Sequence, residues 1–235
     1  MLRALIFDFD GVVADSEPAH LAMFQRVLGE LGIFLSKEEY YAEYLGYDDR
    51  GCFMAALAAH GRPTDDAAVQ ALVTRKARAY LEYIQQHLYI FPGVQSFVRD
   101  IAPRYPLAIA SGALRQEIEL ILDVAGLRAA FAHITSAEDV TQGKPAPDPF
   151  VHALTHLNRT KPGGNGPIQP GECLVIEDSI PGIRAGHAAG MKVLAVANTH
   201  SFDELREADA ITPSLADVRL PELEQRLWSG PQGNR

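Results

Sequence analysis

The sequence predicts an α/β fold, a Rossmann-like parallel sheet with helices on both faces, into which a small α-helical cap domain is inserted. Three observations predict it. Short apolar runs recur along the chain, segments with helical spacing lie between them, and residues 15–88 break this alternation with helical patterns alone.

The runs come in order as Ala4–Phe9, Leu107–Ala110, His133–Ser136, Cys173–Ile176 and Val193–Ala197, lengths that suit strands buried on both faces. Helical spacing fills the gaps, as in Gln116–Leu122 and Pro149–Leu154. The inserted block carries two long amphipathic patterns. Leu21, Phe24, Val27, Leu28 and Leu31 share one side of Pro18–Leu31, and Val69, Leu72, Val73, Ala77, Tyr80 and Ile84 share one side of Ala67–Gln86. The expected organisation is a Rossmann-like core from residues 1–14 and 89–235 with a cap from residues 15–88. Thr160–Pro170 is dense in glycine and proline and is expected to be an exposed loop before the fourth strand. The polar tail after Leu220 is expected to fray.

Composition narrows the function. With 235 residues, 47% hydrophobic and 22% charged, the chain can bury a sizeable core and fold alone. A formal net charge of −9 argues against a broad nucleic-acid or acidic-membrane surface but leaves room for a local anion site. Cys52 and Cys173 form no paired spacing, so a reducing cytosol fits best and the expected location is cytoplasmic. The first apolar segment is too short and too quickly acidic for a signal h-region or a membrane helix. The sequence does not fix oligomeric state, for which a monomer is favoured.

Chemistry concentrates at the ends of the apolar runs. In Leu5-Ile6-Phe7-Asp8-Phe9-Asp10-Gly11, two carboxylates two residues apart would share one face of a strand. Two such charges at the end of a buried strand repel one another unless a proton or cation intervenes. Ser111-Gly112, Lys144 and Glu177-Asp178 follow later runs, and in an open parallel sheet the carboxyl ends of the strands line one crevice. Each has an ordinary reading by itself: Ser111 as a helix cap, Lys144 as a solvated charge, Glu177-Asp178 as an acidic helix start. Together they form an oxygen-rich set suited to Mg²⁺, flanked by a cation and a hydroxyl that would cradle a phosphoryl group. An aspartate could then attack phosphorus while a second carboxyl moves protons.

These residues resemble the haloacid dehalogenase superfamily of aspartate-nucleophile phosphotransferases over nearly the whole chain. The first motif is Asp8-Phe9-Asp10-Gly11-Val12, the second Ser111, the third Lys144-Pro145-Ala146-Pro147-Asp148, and the fourth Glu177-Asp178-Ser179 with Gly182-Ile183 and Ala189-Gly190-Met191. The resemblance implies Asp8 as nucleophile and Asp10 as general acid and base. It also implies Ser111, Gly112 and Lys144 around the phosphoryl group. Asp8, Asp10, Glu177 and Asp178 would organise Mg²⁺, Asp10 through its backbone carbonyl. The inserted helices resemble the cap of the beta-phosphoglucomutase and phosphoglycolate phosphatase branch, so the expected substrate is a small phosphorylated metabolite, a sugar phosphate among the candidates.

Within that family, keeping both Asp8 and Asp10 separates this chain from dehalogenases and phosphonatases and leaves phosphatases and phosphomutases. The expected activity is a phosphatase, with a beta-phosphoglucomutase-type phosphomutase as the alternative. A mutase needs a second anion site, and beta-phosphoglucomutases carry an arginine and a lysine where this chain has Asp49 and Leu114. Arg50 and Arg115 lie one residue further on and are candidates for a displaced site. His20 matches a histidine that beta-phosphoglucomutases carry and is a candidate to meet substrate or Asp10; a polar residue on a helix is the ordinary alternative. His152 and His156 lie one helical turn apart, a zinc-compatible spacing, but no third ligand with suitable spacing is evident and the pair reads as helix decoration.

Overall fold

The apolar runs form one six-stranded sheet in the computed structural model, which describes residues 1–44, 47–160 and 166–229. In chain order the strands are β1 (Ala4–Phe7), β2 (Leu107–Ala110), β3 (Phe131–Thr135), β4 (Cys173–Glu177), β5 (Lys192–Val196) and β6 (Ala210–Thr212). The principal helices are α1 (Glu17–Gly29), α2 (Asp49–Ala59), α3 (Asp66–His87), α4 (Val94–Ile101), α5 (Arg115–Val124), α6 (Asp148–Thr160), α7 (Ile180–Ala188) and α8 (Leu220–Trp228). All neighbouring strands run parallel, in the order β3-β2-β1-β4-β5-β6. The winding reverses between β1 and β4, the position at which open α/β sheets leave a crevice beyond the carboxyl ends of adjacent strands.

The central strands are buried throughout, which is why they read as continuous apolar runs rather than alternating ones. One face of the sheet contributes Ala4, Ile6, Ala108, Ala110, Val175 and Val193 to a cluster with Phe150, Ala153 and Leu157 of α6 and Ile183 of α7. The glycines of α7 permit close approach: a Cβ on Gly186 would fall 2.7 Å from the Val193 side chain.

The chain divides into two compact units, Met1–Asp15 with Tyr89–Arg235, and Ser16–Leu88. In the first, the outgoing and returning segments pair with each other: Asp15 N–H donates to the Tyr89 carbonyl at 3.0 Å and Phe91 N–H to Val13 at 3.2 Å. The second unit is helical. Phe24, Val27 and Leu28 of α1 share a core with Phe53 and Leu57 of α2 and with Val69 and Leu72 of α3. Asp48 and Asp65 cap α2 and α3 by accepting the Gly51 and Ala68 N–H groups.

Two details differ from the sequence expectation. The segment after Leu220 does not fray at its start: it forms α8, with Leu220 and Leu223 buried, Glu224 accepting from Leu2 N–H and Trp228 Nε1 donating to the Gly171 carbonyl. The third strand begins two residues before His133, and the sheet carries a sixth, three-residue edge strand, β6, beyond the five apolar runs. Of the expected loop Thr160–Pro170, residues 161–165 lie outside the described residues, as do 230–235 of the tail. No helix among the described residues is long and apolar enough to cross a membrane.

Candidate active site

The site assembles because β1 and β4 are neighbours in register and both end in acid. Phe7 lies opposite Ile176, and Asp8 N–H continues the ladder to the Ile176 carbonyl at 2.8 Å. Beyond Asp8 the chain coils sharply: the Phe9 carbonyl receives N–H groups of Val12, Val13 and Ala14, and Gly11 N–H returns to Ala14. This coil ends the strand geometry that would keep Asp8 and Asp10 on one face. Gly11 has φ +78°, and a Cβ there would lie 1.9 Å from the Asp178 carboxylate, so conformation and space both demand glycine.

Lys144 links the strand ends. Its Nζ donates to Asp8 Oδ1 and to Glu177 Oε1, both at 2.6 Å, and sits 5.1 Å from the Phe150 ring centroid. Glu177 is fully buried and its other oxygen, Oε2, accepts from Asp178 N–H, Ser179 N–H and Ser179 Oγ. Gly182 makes room for it: a Cβ there would fall 1.7 Å from Glu177 Oε1. Asp178 accepts from the Thr199 hydroxyl, and the Asp178 carbonyl lies 2.9 Å from His200 Nδ1. Asn198 Nδ2 donates to the Gly11 carbonyl at 2.7 Å and ties the first motif to the segment after β5.

Asp8, Glu177 and Asp178 each place a carboxylate oxygen within 4.8 Å of the others; Asp10 is not a member of that set. Burial pushes the Asp8 carboxyl well above the usual range, and although Lys144 opposes this, Glu177 and Asp178 add to it. Asp178 is pushed up to about 6, by burial and then by Glu177. Burial also acts on Glu177, but Lys144 and the bonds from Ser179 outweigh it and hold that carboxyl low. Burial pulls Lys144 down, yet its two carboxylate partners raise it overall. One ammonium is thus too little positive charge for three clustered carboxylates. An all-oxygen, electron-rich set of this kind fits a hard divalent cation such as Mg²⁺.

The remaining predicted residues divide. Ser111 is buried at the end of β2, its Oγ accepting Ala113 N–H at 3.0 Å, and Gly112 lies in the same turn; the cap of α5 is Leu114, not Ser111. Arg115 is drawn elsewhere, to Asp139 at 2.5 Å and to the Ile134 carbonyl at 3.0 Å. His20 and Arg50 belong to the helical unit. Arg50 pairs with Asp66 at 2.6 Å. His20 stacks on Tyr80 with centroids 4.4 Å apart, and its Nδ1 lies 2.5 Å from Lys76 Nζ. An ammonium can only donate, so this nitrogen accepts and the ring is neutral. Burial and the Lys76 charge hold its pKa down to about 3.

Sequence reasoning missed Lys76, Asn198 and Thr199. Lys76 sits within an amphipathic helical pattern that marks it only as a lysine, yet its side chain is wholly buried and pairs with Asp49 at 2.6 Å. Asn198 and Thr199 had a signal, since they follow the fifth apolar run as the other site residues follow theirs.

A family model described as haloacid dehalogenase-like hydrolase matches residues 5–196. The chain is 30% identical to Protein CbbY of Rhodobacter capsulatus, over 94% of this chain and 99% of that protein. It is also 30% identical to the fructose-1-phosphate phosphatase YqaB of Escherichia coli, over 82% of this chain and 95% of that one. The beta-phosphoglucomutase of Clostridium difficile shares the fold with a TM-score of 0.76 at 20% identity, covering 97% of both chains. With motifs that extend from β1 to β5, the chain belongs to the haloacid dehalogenase-like hydrolase family.

Proposed function

We propose that this enzyme is a Mg²⁺-dependent phosphatase that hydrolyses a small phosphorylated metabolite through an aspartyl-phosphate. The observation that carries the reading is the convergence of Asp8, Lys144, Glu177 and Asp178, with one ammonium 2.6 Å from two carboxylates of a crowded acidic set. Asp8, Asp178 and the Asp10 carbonyl would hold the ion, with Glu177 close by. When bound, Mg²⁺ would neutralise phosphoryl oxygens and favour ionised carboxylates.

In the first step an Asp8 oxygen attacks phosphorus, the ester P–O bond breaks, and Asp10 gives a proton to the departing oxygen. In the second, Asp10 takes a proton from a water that attacks phosphorus, releasing phosphate and restoring Asp8. Lys144 balances charge on the phosphoryl group, and the Ser111-Gly112 turn supplies hydroxyl and backbone donors to it. Glu177, whose oxygens are occupied by Lys144, Asp178 and Ser179, acts mainly by holding Lys144 and the start of α7 in place.

Hydrolysis is favoured over mutase chemistry by the state of the candidate second-phosphate residues. Arg50 and Arg115 are each engaged by a carboxylate of their own unit, and Asp49 places negative charge where a mutase carries arginine. The relative named as a fructose-1-phosphate phosphatase supports sugar phosphates as the first substrates to test. A phosphate-release screen over sugar and polyol phosphates, with a glucose 1-phosphate to 6-phosphate isomerisation assay beside it, tests the reading. Phosphate release without isomerisation is expected; isomerisation dependent on a bisphosphate would overturn it.

A further inference from the structure

We propose that His133, His152 and His156 form a binding site for a borderline transition-metal dication, with zinc as the expected occupant, on the β3 edge of the sheet and apart from the carboxylate centre. His152 and His156 stand one turn apart on α6, and the missing third ligand comes from β3. His133 pairs with Ala108 in the ladder and so faces the side of the sheet on which α6 packs. One ring nitrogen from each of the three lies within 4.8 Å of the other two. The His133 and His156 rings stack at 4.1 Å and 6°, so one of them turns out of the stack for both in-plane lone pairs to meet one ion, and His152 lies 4.5 Å from His156 and 5.5 Å from His133.

Two further observations point to a ligand. His133 Nε2 is buried with no hydrogen-bond partner among the described residues, a cost that coordination would remove. His152 Nδ1 is 3.0 Å from the Oγ1 of wholly buried Thr135, an arrangement that orients the ring and leaves Nε2 for a metal. Two of the ligands are held toward the form coordination needs: burial, then His156 and His152, hold His133 down to about 4, and burial and His152 lower His156 as well. Three imidazole ligands suit zinc rather than Mg²⁺ and leave a fourth position for water. The charged groups acting on the cluster are Arg115 and Arg159, which disfavour a cation, and Asp139, which favours one.

The test is a zinc titration of untagged, chelator-dialysed protein in excess Mg²⁺, followed by calorimetry and by thermal unfolding. One equivalent of Zn²⁺ should bind and raise the melting temperature. His156→Gln and His133→Gln, checked for folding by circular dichroism, should each weaken that binding by at least about tenfold and abolish the zinc-induced shift. His156 is partly exposed on a helix, so its variant keeps the test valid if His133→Gln misfolds. Wild-type protein that takes up no zinc, or zinc binding unchanged in His156→Gln, overturns the proposal.

Discussion

Lys76 of the helical unit is wholly buried and Lys144 of the other unit is largely so, and the two lysines are balanced differently. Lys76, in the helical unit, meets one carboxylate, one neutral imidazole and the faces of Phe24 and Tyr80 at 4.7 and 5.3 Å. Its charge is matched and its surroundings are aromatic, an arrangement that closes on itself. Lys144, at the β1/β4 strand ends, faces Asp8 and Glu177 with Asp178 alongside, so negative charge is left over. A surplus of buried carboxylate is costly unless the site recovers the energy by binding something positive. On the proposed function, the difference separates a structural lysine from one in a ligand site.

Breaking the Lys144 side should cost activity far more than fold. Asp8→Asn should reduce phosphate release by at least about a thousandfold, since in the proposed mechanism no other group replaces Asp8 as nucleophile. Lys144→Met should cost about a hundred- to a thousandfold in kcat/KM, the scale of a lost electrostatic stabiliser. Steady-state kinetics on any substrate found by the screen checks both, and residual hydrolysis within tenfold of wild type would place the chemistry elsewhere.

Breaking the Lys76 side should do the reverse in stability. Lys76→Met should destabilise the chain by about 3 kcal/mol by leaving Asp49 without its buried cation, and adding Asp49→Asn should recover part of that. Denaturant unfolding measures both, and a neutral single variant would show that the pair is not holding the unit together. His20 sharpens the same comparison through pH. Its folded value of about 3 lies below the 6.5 of an ordinary histidine. Between these the unfolded chain carries the proton and the folded chain does not. This contribution to stability is therefore complete above about 6.5 and declines as pH falls, by up to about 1.4 kcal/mol per pH unit. His20→Gln should flatten that slope in unfolding curves taken between pH 4 and 6. The smallest effect is expected at Arg115→Ala: a partly exposed pair with Asp139 contributes about 1 kcal/mol or less, and phosphate release should stay within about threefold.

What could be read from sequence follows from how local each signal is. The strands were legible because burial on both faces writes apolar runs, and Asp8, Lys144 and Asp178 because each ends or follows such a run. The edge strand β6 is three residues long and too short to stand out, and α8 hides in a polar segment that buries only Leu220 and Leu223. Burial of Lys76 depends on α1 and α2 packing beside α3, which no single helical pattern records. Likewise His133 joins His152 and His156 only through the β3–α6 packing, so the pair looked incomplete in the sequence. A bend after Asp8 follows only from the separate roles that the family resemblance implies for Asp8 and Asp10, and the chain does coil there on the Phe9 carbonyl.

The most direct measurement is mass spectrometry of residue 8 in enzyme quenched with acid during turnover of a phosphorylated substrate in Mg²⁺. The expected result is a phosphoryl group on Asp8 that is absent without Mg²⁺ and absent from Asp8→Asn. Phosphate release at full rate with no adduct on Asp8, and unimpaired in Asp8→Asn, would contradict the assignment of Asp8 as the nucleophile.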